Sequence, residues 1–318
     1  MRTVGFIFPG QGSQTVGMGA ELATNFVQSR ACFDLASSVL GYDLLERVNS
    51  ASPDELKETR LSQPAIFTAN VAIYRAVETL GLKPIVSAGH SFGEYCSLTI
   101  ADAIDFDQAV RVVNERGQAM GEAADMTPGL MAAVIGLDET GVAESCRRAR
   151  ETTGKRVGLG NLNTLTQIVV SGDAEAVEAA CEIAKEMGAK RVRVLNVSGA
   201  WHSSLMEPAM PRFAKAVGAI HLSMPMFAVI SNVIAKPYSS VEQIRECLLA
   251  SLCAHVRWHE TALALVAMAP DVIIECGASE VLAPMIKRLP MIGDIPVMHV
   301  ADVATLHDLQ DAMGSLAG

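Results

Sequence analysis

An α/β fold with a largely parallel sheet, carrying a smaller inserted unit, is what this 318-residue chain predicts. Three observations lead there. Short apolar runs alternate with longer helical patterns, which calls for parallel strands covered on both faces. Between residues 127 and 197 the order changes to β-α-β-β-α-β, a split βαβ arrangement that closes as a unit of its own. Half the residues are apolar and 19% are charged, so the chain can bury a large core. Its length suits two unequal domains or one large one. The expected division is 1–126 with 198–318 as the larger unit, and 127–197 as the insertion.

The elements follow in order. Residues 4–8 form a buried strand that ends at the loop Pro9-Gly10-Gln11-Gly12-Ser13-Gln14. A helix covers 27–40, before the turn at Gly41. Ser52-Pro53-Asp54-Glu55 has the cap, the proline and the acids of a helix start. A further helix covers 63–80 and stops at Gly81. Residues 84–88 form a short strand, and Phe92 opens a helix directly after it. The next helix covers 107–122, and Met126-Thr127-Pro128-Gly129 breaks the chain.

Inside the insertion, 130–135 is a strand and 139–150 a helix. Strands at 156–160 and 167–170 are joined by a polar turn at 161–164. A helix over 174–187 is capped by Gly188, and 191–195 is the last strand of the unit. The α/β rhythm then resumes. Helices are expected at 206–217 (interrupted or started by its prolines), 241–252 and 258–268, with strands at 227–231, 272–275 and 298–300. Gly277 begins another turn into a helix.

Composition narrows the function. A net charge of −10 argues against non-specific nucleic-acid binding. Lys190, Arg191 and Arg193 form a local basic run, read as the solvated face of a strand. No run reaches the ~18 apolar residues of a membrane span, and no secretory leader is expected. Seven widely spaced cysteines without a CxxC pair suit reduced thiols in the cytoplasm. Scattered histidines announce no metal site.

The chemistry centres on Gly89-His90-Ser91-Phe92-Gly93. This is a G-x-S-x-G pattern between an apolar strand and a helix, the context of a nucleophile elbow. The glycines let strand and helix approach, and the helix N-terminus adds a positive field at the hydroxyl. Ser91 is therefore the candidate nucleophile. It needs a base, and His202 suits best. It sits in Val197-Ser198-Gly199-Ala200-Trp201-His202, a loop after the insertion's last strand, where α/β folds place reactive groups. His90 is adjacent in sequence, but a tight turn usually points its side chain elsewhere; His255 and His259 are rivals. The backbone N–H of Gln11 can pair with that of Phe92 as an oxyanion hole. The run around Gln11 is a poor match to a dinucleotide loop.

Several ordered motifs carry a resemblance. They are Phe8-Pro9-Gly10-Gln11-Gly12-Ser13-Gln14, the elbow through Glu94, and Arg116-Gly117-Gln118-Ala119-Met120. Asn161-x-Asn163 with Gln167, Ser171-Gly172, Ser198-Gly199-Ala200-Trp201-His202-Ser203 and Glu275-x-Gly277 complete the set. Together the chain resembles the malonyl-CoA:acyl carrier protein transacylases and the related acyltransferases of polyketide synthases. The resemblance covers almost the whole length. It implies an α/β-hydrolase-like large subdomain with a ferredoxin-like insertion. It also implies a serine–histidine dyad of Ser91 and His202, with a backbone carbonyl near Ser251 orienting the histidine. Ser251 stands where the family often has glutamine.

Arg116 matches the family's arginine for the malonyl carboxylate, and a guanidinium can grip a carboxylate with two parallel bonds. Met120, Trp201 and Phe92 are implied to border the acyl pocket. Trp201 replaces a common phenylalanine, Leu165 a frequent proline, and Gly277-Ala278-Ser279 a usual Gly-Pro-Gly. The expected substrate is malonyl-CoA with no bound cofactor, and the partner is an acyl carrier protein bearing phosphopantetheine. A monomer is expected to suffice. A polyketide-pathway enzyme loading another acyl unit, and an acyl hydrolase, stand as alternatives.

Overall fold

The computed structural model describes residues 2–315. Among the described residues, nine strands divide between two sheets. In chain order they are β1 (Thr3–Phe8), β2 (Lys83–Gly89), β3 (Leu130–Ile135), β4 (Val157–Thr164), β5 (Gln167–Gly172), β6 (Arg191–Val194), β7 (Ala228–Ile230), β8 (Val272–Cys276) and β9 (Val297–Val300).

The larger sheet runs β7-β2-β1-β8-β9, and every neighbouring pair is parallel. Its central strands are apolar on both faces. In β1, Phe6 and Phe8 join the core beneath the helices Val27–Leu40 and Thr59–Glu78, while Ile7 joins the opposite core around Trp258. A strand buried on both sides must come from a continuous apolar run, and Val4-Gly5-Phe6-Ile7-Phe8 supplies it.

The smaller sheet runs β4-β5-β3-β6 and is antiparallel throughout. That order is the ferredoxin-like one, with β5 inserted between β3 and β4. Alternation assigns its faces. Ala132 and Val134 of β3 pack under the helices Glu139–Thr153 and Ala174–Glu186. Met131 and Ala133 point the other way and merge with the main core.

The helix Val27–Leu40 falls where periodicity predicts it. Other expectations need correction. Ser52-Pro53-Asp54-Glu55 does not open a long helix. The Ser52 hydroxyl accepts from the Glu55 N–H, and the Glu55 carboxylate accepts back from Ser52, but only the 3-10 turn Glu55–Lys57 follows. The helix expected over 63–80 runs from Thr59 to Glu78, so it starts earlier than expected and carries Pro64 in its interior. The polar stretch 161–164 is not a turn. It belongs to β4, and Leu165 and Thr166 make the turn instead. The helix at 206–217 is interrupted at its prolines, as expected: the 3-10 helix Ser204–Ala209 carries Pro208 and gives way to the helix Met210–Ala219, with Pro211 in its first turn. Helices Ala20–Asn25, Leu44–Ser50 and Val303–Ser315 had no sequence expectation.

Among the described residues, no helix is long and apolar enough to cross a membrane. Arg191 and Arg193 are exposed on the edge strand β6.

Candidate active site

Ser91 sits at the top of β2, in the sharp turn before the helix Gly93–Ile100. Its φ is 55°, in the left-handed region that costs a non-glycine residue energy. Both flanking glycines are sterically required. A Cβ on Gly89 would lie 1.9 Å from the Gly93 backbone, and one on Gly93 would lie 2.4 Å from the Phe8 carbonyl.

His202 meets the nucleophile directly. Ser91 Oγ and His202 Nε2 are 2.8 Å apart. On the other side of the ring, Nδ1 lies 3.0 Å from the Ser251 carbonyl and 3.2 Å from that of Ala254. Two carbonyls can only accept, so Nδ1 carries the proton and Nε2 is left to accept from the serine. Ser251 supplies one of these carbonyls and Ala254 the other. Burial, the nearby Arg116 cation and His90 together hold the His202 ring down to a pKa of about 3. The ring is therefore neutral at ordinary pH, the state a base requires.

His90 also faces the cavity, but it does not reach the nucleophile. Its Nε2 lies 3.0 Å from Asn163 Oδ1 and 3.3 Å from Asn161 Nδ2. Its ring tilts against Trp258 at 5.6 Å. His255 and His259 are not among the cavity residues.

Arg116 comes from the long helix Phe106–Met126 and is 1% exposed. Gly117 allows its helix to lie close to Thr59–Glu78, because a Cβ there would stand 2.8 Å from the Thr59 carbonyl. Gln63 then reaches across. Arg116 Nη1 donates to Gln63 Oε1 at 2.8 Å, and Nη2 points to Ser91 Oγ at 3.5 Å. Nε has no acceptor. Burial lowers the guanidinium to a pKa of about 10, against the weaker pull of Tyr95 and Glu94, so it remains a cation. It also lies over the Phe92 ring, 5.9 Å from the centroid.

The loop after β1 is pinned around Gln11. Asn70 Nδ2 donates to the Pro9 carbonyl at 2.9 Å, Ser13 Oγ to the Gly10 carbonyl at 2.8 Å, and Gln11 Nε2 to the Lys57 carbonyl at 3.2 Å. Gly10 packs so closely on the elbow that a Cβ would come 2.6 Å from the His90 carbonyl. Glu275 serves the same loop from behind. It accepts from the N–H groups of Val281, Leu282 and Ala283, and this fixes the turn after Gly277, which abuts Pro9. Among the described residues, the backbone N–H groups of Gln11 and Phe92 donate to no protein acceptor. The Ser91 N–H is already taken, by Asn232 Oδ1 at 2.8 Å.

These groups surround a cavity of about 260 Å³ between the two sheets. Met120 and Trp201 wall it from the large unit, and Met131 and Val169 from the small one. Trp201 is held by its own carbonyl, which accepts from Ser171 Oγ at 2.7 Å. All eight sequence-chosen site residues except Ser251 line this cavity. Ser251 stands behind His202.

A family model for the acyl transferase domain matches residues 5–303. The chain belongs to that family. This acyl transferase is 39% identical over 313 residues to the malonyl CoA-acyl carrier protein transacylase of Haemophilus influenzae, covering 98% of this chain and 99% of that one. Its fold is similar to that of the malonyl CoA-acyl carrier protein transacylase from Coxiella burnetii, with a TM-score of 0.91, 38% identity, and 97% and 96% of the two chains covered. It is likewise similar to a malonyl-transacylase solved in complex with its type II PKS acyl-carrier protein, with a TM-score of 0.90, 38% identity, and 97% and 99% covered.

Sequence reasoning about this acyl transferase missed Gln63, Asn232 and Tyr238. Gln63 looks like any polar helical residue. Asn232 and Tyr238 meet the elbow across more than a hundred residues of chain, and no local pattern marks them.

Proposed function

We propose that this chain transfers a malonyl group from malonyl-CoA to the phosphopantetheine thiol of an acyl carrier protein, through a malonyl ester on Ser91. One observation carries the choice of acyl group. Among the described residues, Arg116 is a buried cation with no carboxylate in a salt bridge to it, and its Nη2 stands 3.5 Å from the Ser91 hydroxyl. A carboxylated acyl group completes its bonding at the distance where the thioester carbonyl meets Ser91.

The steps follow from the geometry. The malonyl carboxylate binds Arg116, with Gln63 holding the guanidinium in place. The thioester oxygen points at the N–H groups of Gln11 and Phe92. His202 Nε2 takes the Ser91 proton as Oγ bonds to the carbonyl carbon. The negative oxygen of the tetrahedral intermediate is stabilised by the two amides. The C–S bond breaks, and the imidazolium returns its proton to the CoA sulfur. The Ser251 and Ala254 carbonyls stabilise that imidazolium, the task a carboxylate performs in a triad. In the second half the carrier's thiol gives its proton to His202 and its sulfur attacks the ester carbonyl. The C–O bond then breaks, and the proton goes back to Ser91. The apolar walls of Met120, Met131 and Trp201 disfavour water as the competing acceptor.

Every described cysteine is free, and six of the seven are buried, which supports a reducing compartment such as the cytoplasm. Intact-protein mass spectrometry after mixing with malonyl-CoA tests the reading. One malonyl is expected on the wild-type chain and none on Ser91→Ala, and adding a phosphopantetheinylated carrier removes it. A wild-type chain that takes no malonyl overturns the proposal. Rapid loss of the adduct to water without a carrier favours the hydrolase alternative.

A further inference from the structure

Glu94 is the first-turn acid of the helix that follows the nucleophile, and it is 2% exposed. Its carboxylate makes no contact in the substrate cavity. It turns to the loop after β7 instead. Oε2 accepts from the Asn232 N–H at 3.0 Å, and Oε1 accepts from the Tyr238 hydroxyl. Both partners belong to one tight loop, in which the Ser231 N–H donates to the Lys236 carbonyl and the Tyr238 N–H to that of Val229. The loop is thus closed by its own backbone bonds, and Glu94 docks it against the elbow.

What the loop delivers is the side chain of Asn232. Its Oδ1 accepts from the Ser91 N–H at 2.8 Å, and its Nδ2 donates to the Gly89 carbonyl at 2.6 Å. One amide therefore spans the elbow, holding the last carbonyl of β2 and the nucleophile's own N–H together. A turn with Ser91 at a φ of 55° relaxes unless its surroundings over-determine it. The peptide that follows Ser91 carries the Phe92 N–H, so the same clamp also aims one of the two unoccupied oxyanion donors.

We propose that Glu94 is a positioning residue: through Tyr238 and Asn232 it fixes the strained Ser91 turn and the aim of the Phe92 N–H. It touches neither substrate nor reacting atoms. Its role rests on the acyl-transfer reading above. The role requires hydrogen-bond geometry and not charge. Glutamine can still accept from the Asn232 N–H through its oxygen and donate to the Tyr238 oxygen through its nitrogen, whereas leucine can do neither.

The experiment compares Glu94→Gln and Glu94→Leu in malonyl transfer to a phosphopantetheinylated carrier. Displacing reacting groups by about 1 Å costs on the order of 100-fold in rate. Glu94→Leu is therefore expected to lower kcat about 100-fold, with KM for malonyl-CoA within about twofold of wild type. Glu94→Gln is expected to recover to within about fivefold. Asn232→Asp keeps the acceptor for Ser91 N–H but sets an oxygen against the Gly89 carbonyl, and it is expected to lower kcat at constant KM without removing any group near substrate. It also serves if Glu94→Leu fails to fold. Equal losses in Glu94→Gln and Glu94→Leu would make the residue electrostatic and overturn the proposal. So would a loss confined to KM, or full activity in Asn232→Asp. An inactive wild-type chain would instead strike at the acyl-transfer reading.

Discussion

Arg116 donates Nη1 to Gln63 and leaves Nε without an acceptor, inside a cavity that reaches Ser91. Losing one member of a buried, hydrogen-bonded charge pair costs about 2–5 kcal/mol, and about 1.4 kcal/mol is tenfold in rate. Arg116→Ala should therefore lower kcat/KM for malonyl-CoA about 30-fold or more. Acetyl-CoA has no carboxylate to lose, so its turnover should hold steady or rise. The ratio of the two kcat/KM values reads this directly, and an unchanged ratio removes Arg116 from substrate selection. Gln63→Leu should move the same ratio in the same direction, by less, because the cation stays but swings.

His202 makes a second prediction at this scale. Its neutral form persists down to a pKa of about 3, because burial and Arg116 oppose protonation. The rate of Ser91 acylation should therefore show no acid limb at the ordinary histidine pKa of about 6.5. Stopped-flow acylation between pH 8 and pH 5 checks it, and a limb centred near 6.5 would contradict the buried, neutral base.

The elements explain which parts of the site were legible. The elbow was readable because its requirement is local: Gly89 and Gly93 stand where any Cβ would strike backbone. Gly93→Ala should accordingly destabilise the fold by about 1–3 kcal/mol, as overpacking does. It should cost activity beyond that, measured as urea midpoint and acylation rate on the same sample. A variant with wild-type values for both would mean that the turn has room to spare.

β4 is harder to read, for a different reason. Asn161 and Asn163 look like turn residues, but on β4 they alternate with Leu162. The asparagines meet His90 in the cavity, and Leu162 enters the small unit's core. A strand that faces a polar cavity inverts the usual pattern, so the polarity that marks it functionally hides it structurally. Pro64 explains the expected start at 63: proline usually marks a helix's first turn, yet here it lies inside the helix Thr59–Glu78. Glu94 was visible as part of a motif, yet its role depends on Asn232 and Tyr238, which only the folded chain brings near.

At the scale of the whole molecule, the cavity belongs to neither sheet alone. Ser91, Arg116 and His202 come from the large unit, while Met131, Asn161, Asn163 and Val169 come from the small one. Closing the two units on one another buries His202 and His90 as neutral rings, and burial lowers the pKa of both. This ties global stability to pH. In the unfolded chain His202 takes up a proton as pH falls through about 6.5, while in the folded chain it resists down to about 3. Between those values the unfolded state binds more protons, so folding weakens as the pH falls, by roughly 1.4 kcal/mol per pH unit for that ring. Above pH 6.5 the effect vanishes.

Glu94 acts in the opposite direction. Burial raises its pKa to about 7, outweighing its bonds to Tyr238 and Asn232. The folded state therefore holds its proton first, and this stabilises folding as pH falls from about 7 towards the ordinary carboxylate range. The two slopes partly cancel in the wild-type chain, so total stability against pH cannot isolate either. The difference between wild type and His202→Gln does, because Glu94 is present in both. Unfolding free energies from urea titrations at pH 7, 6 and 5 should show the variant gaining on the wild type at each step down. Parallel curves would mean that His202 titrates in the folded protein as it does unfolded, at about 6.5, and the base held neutral down to about 3 would be lost with it.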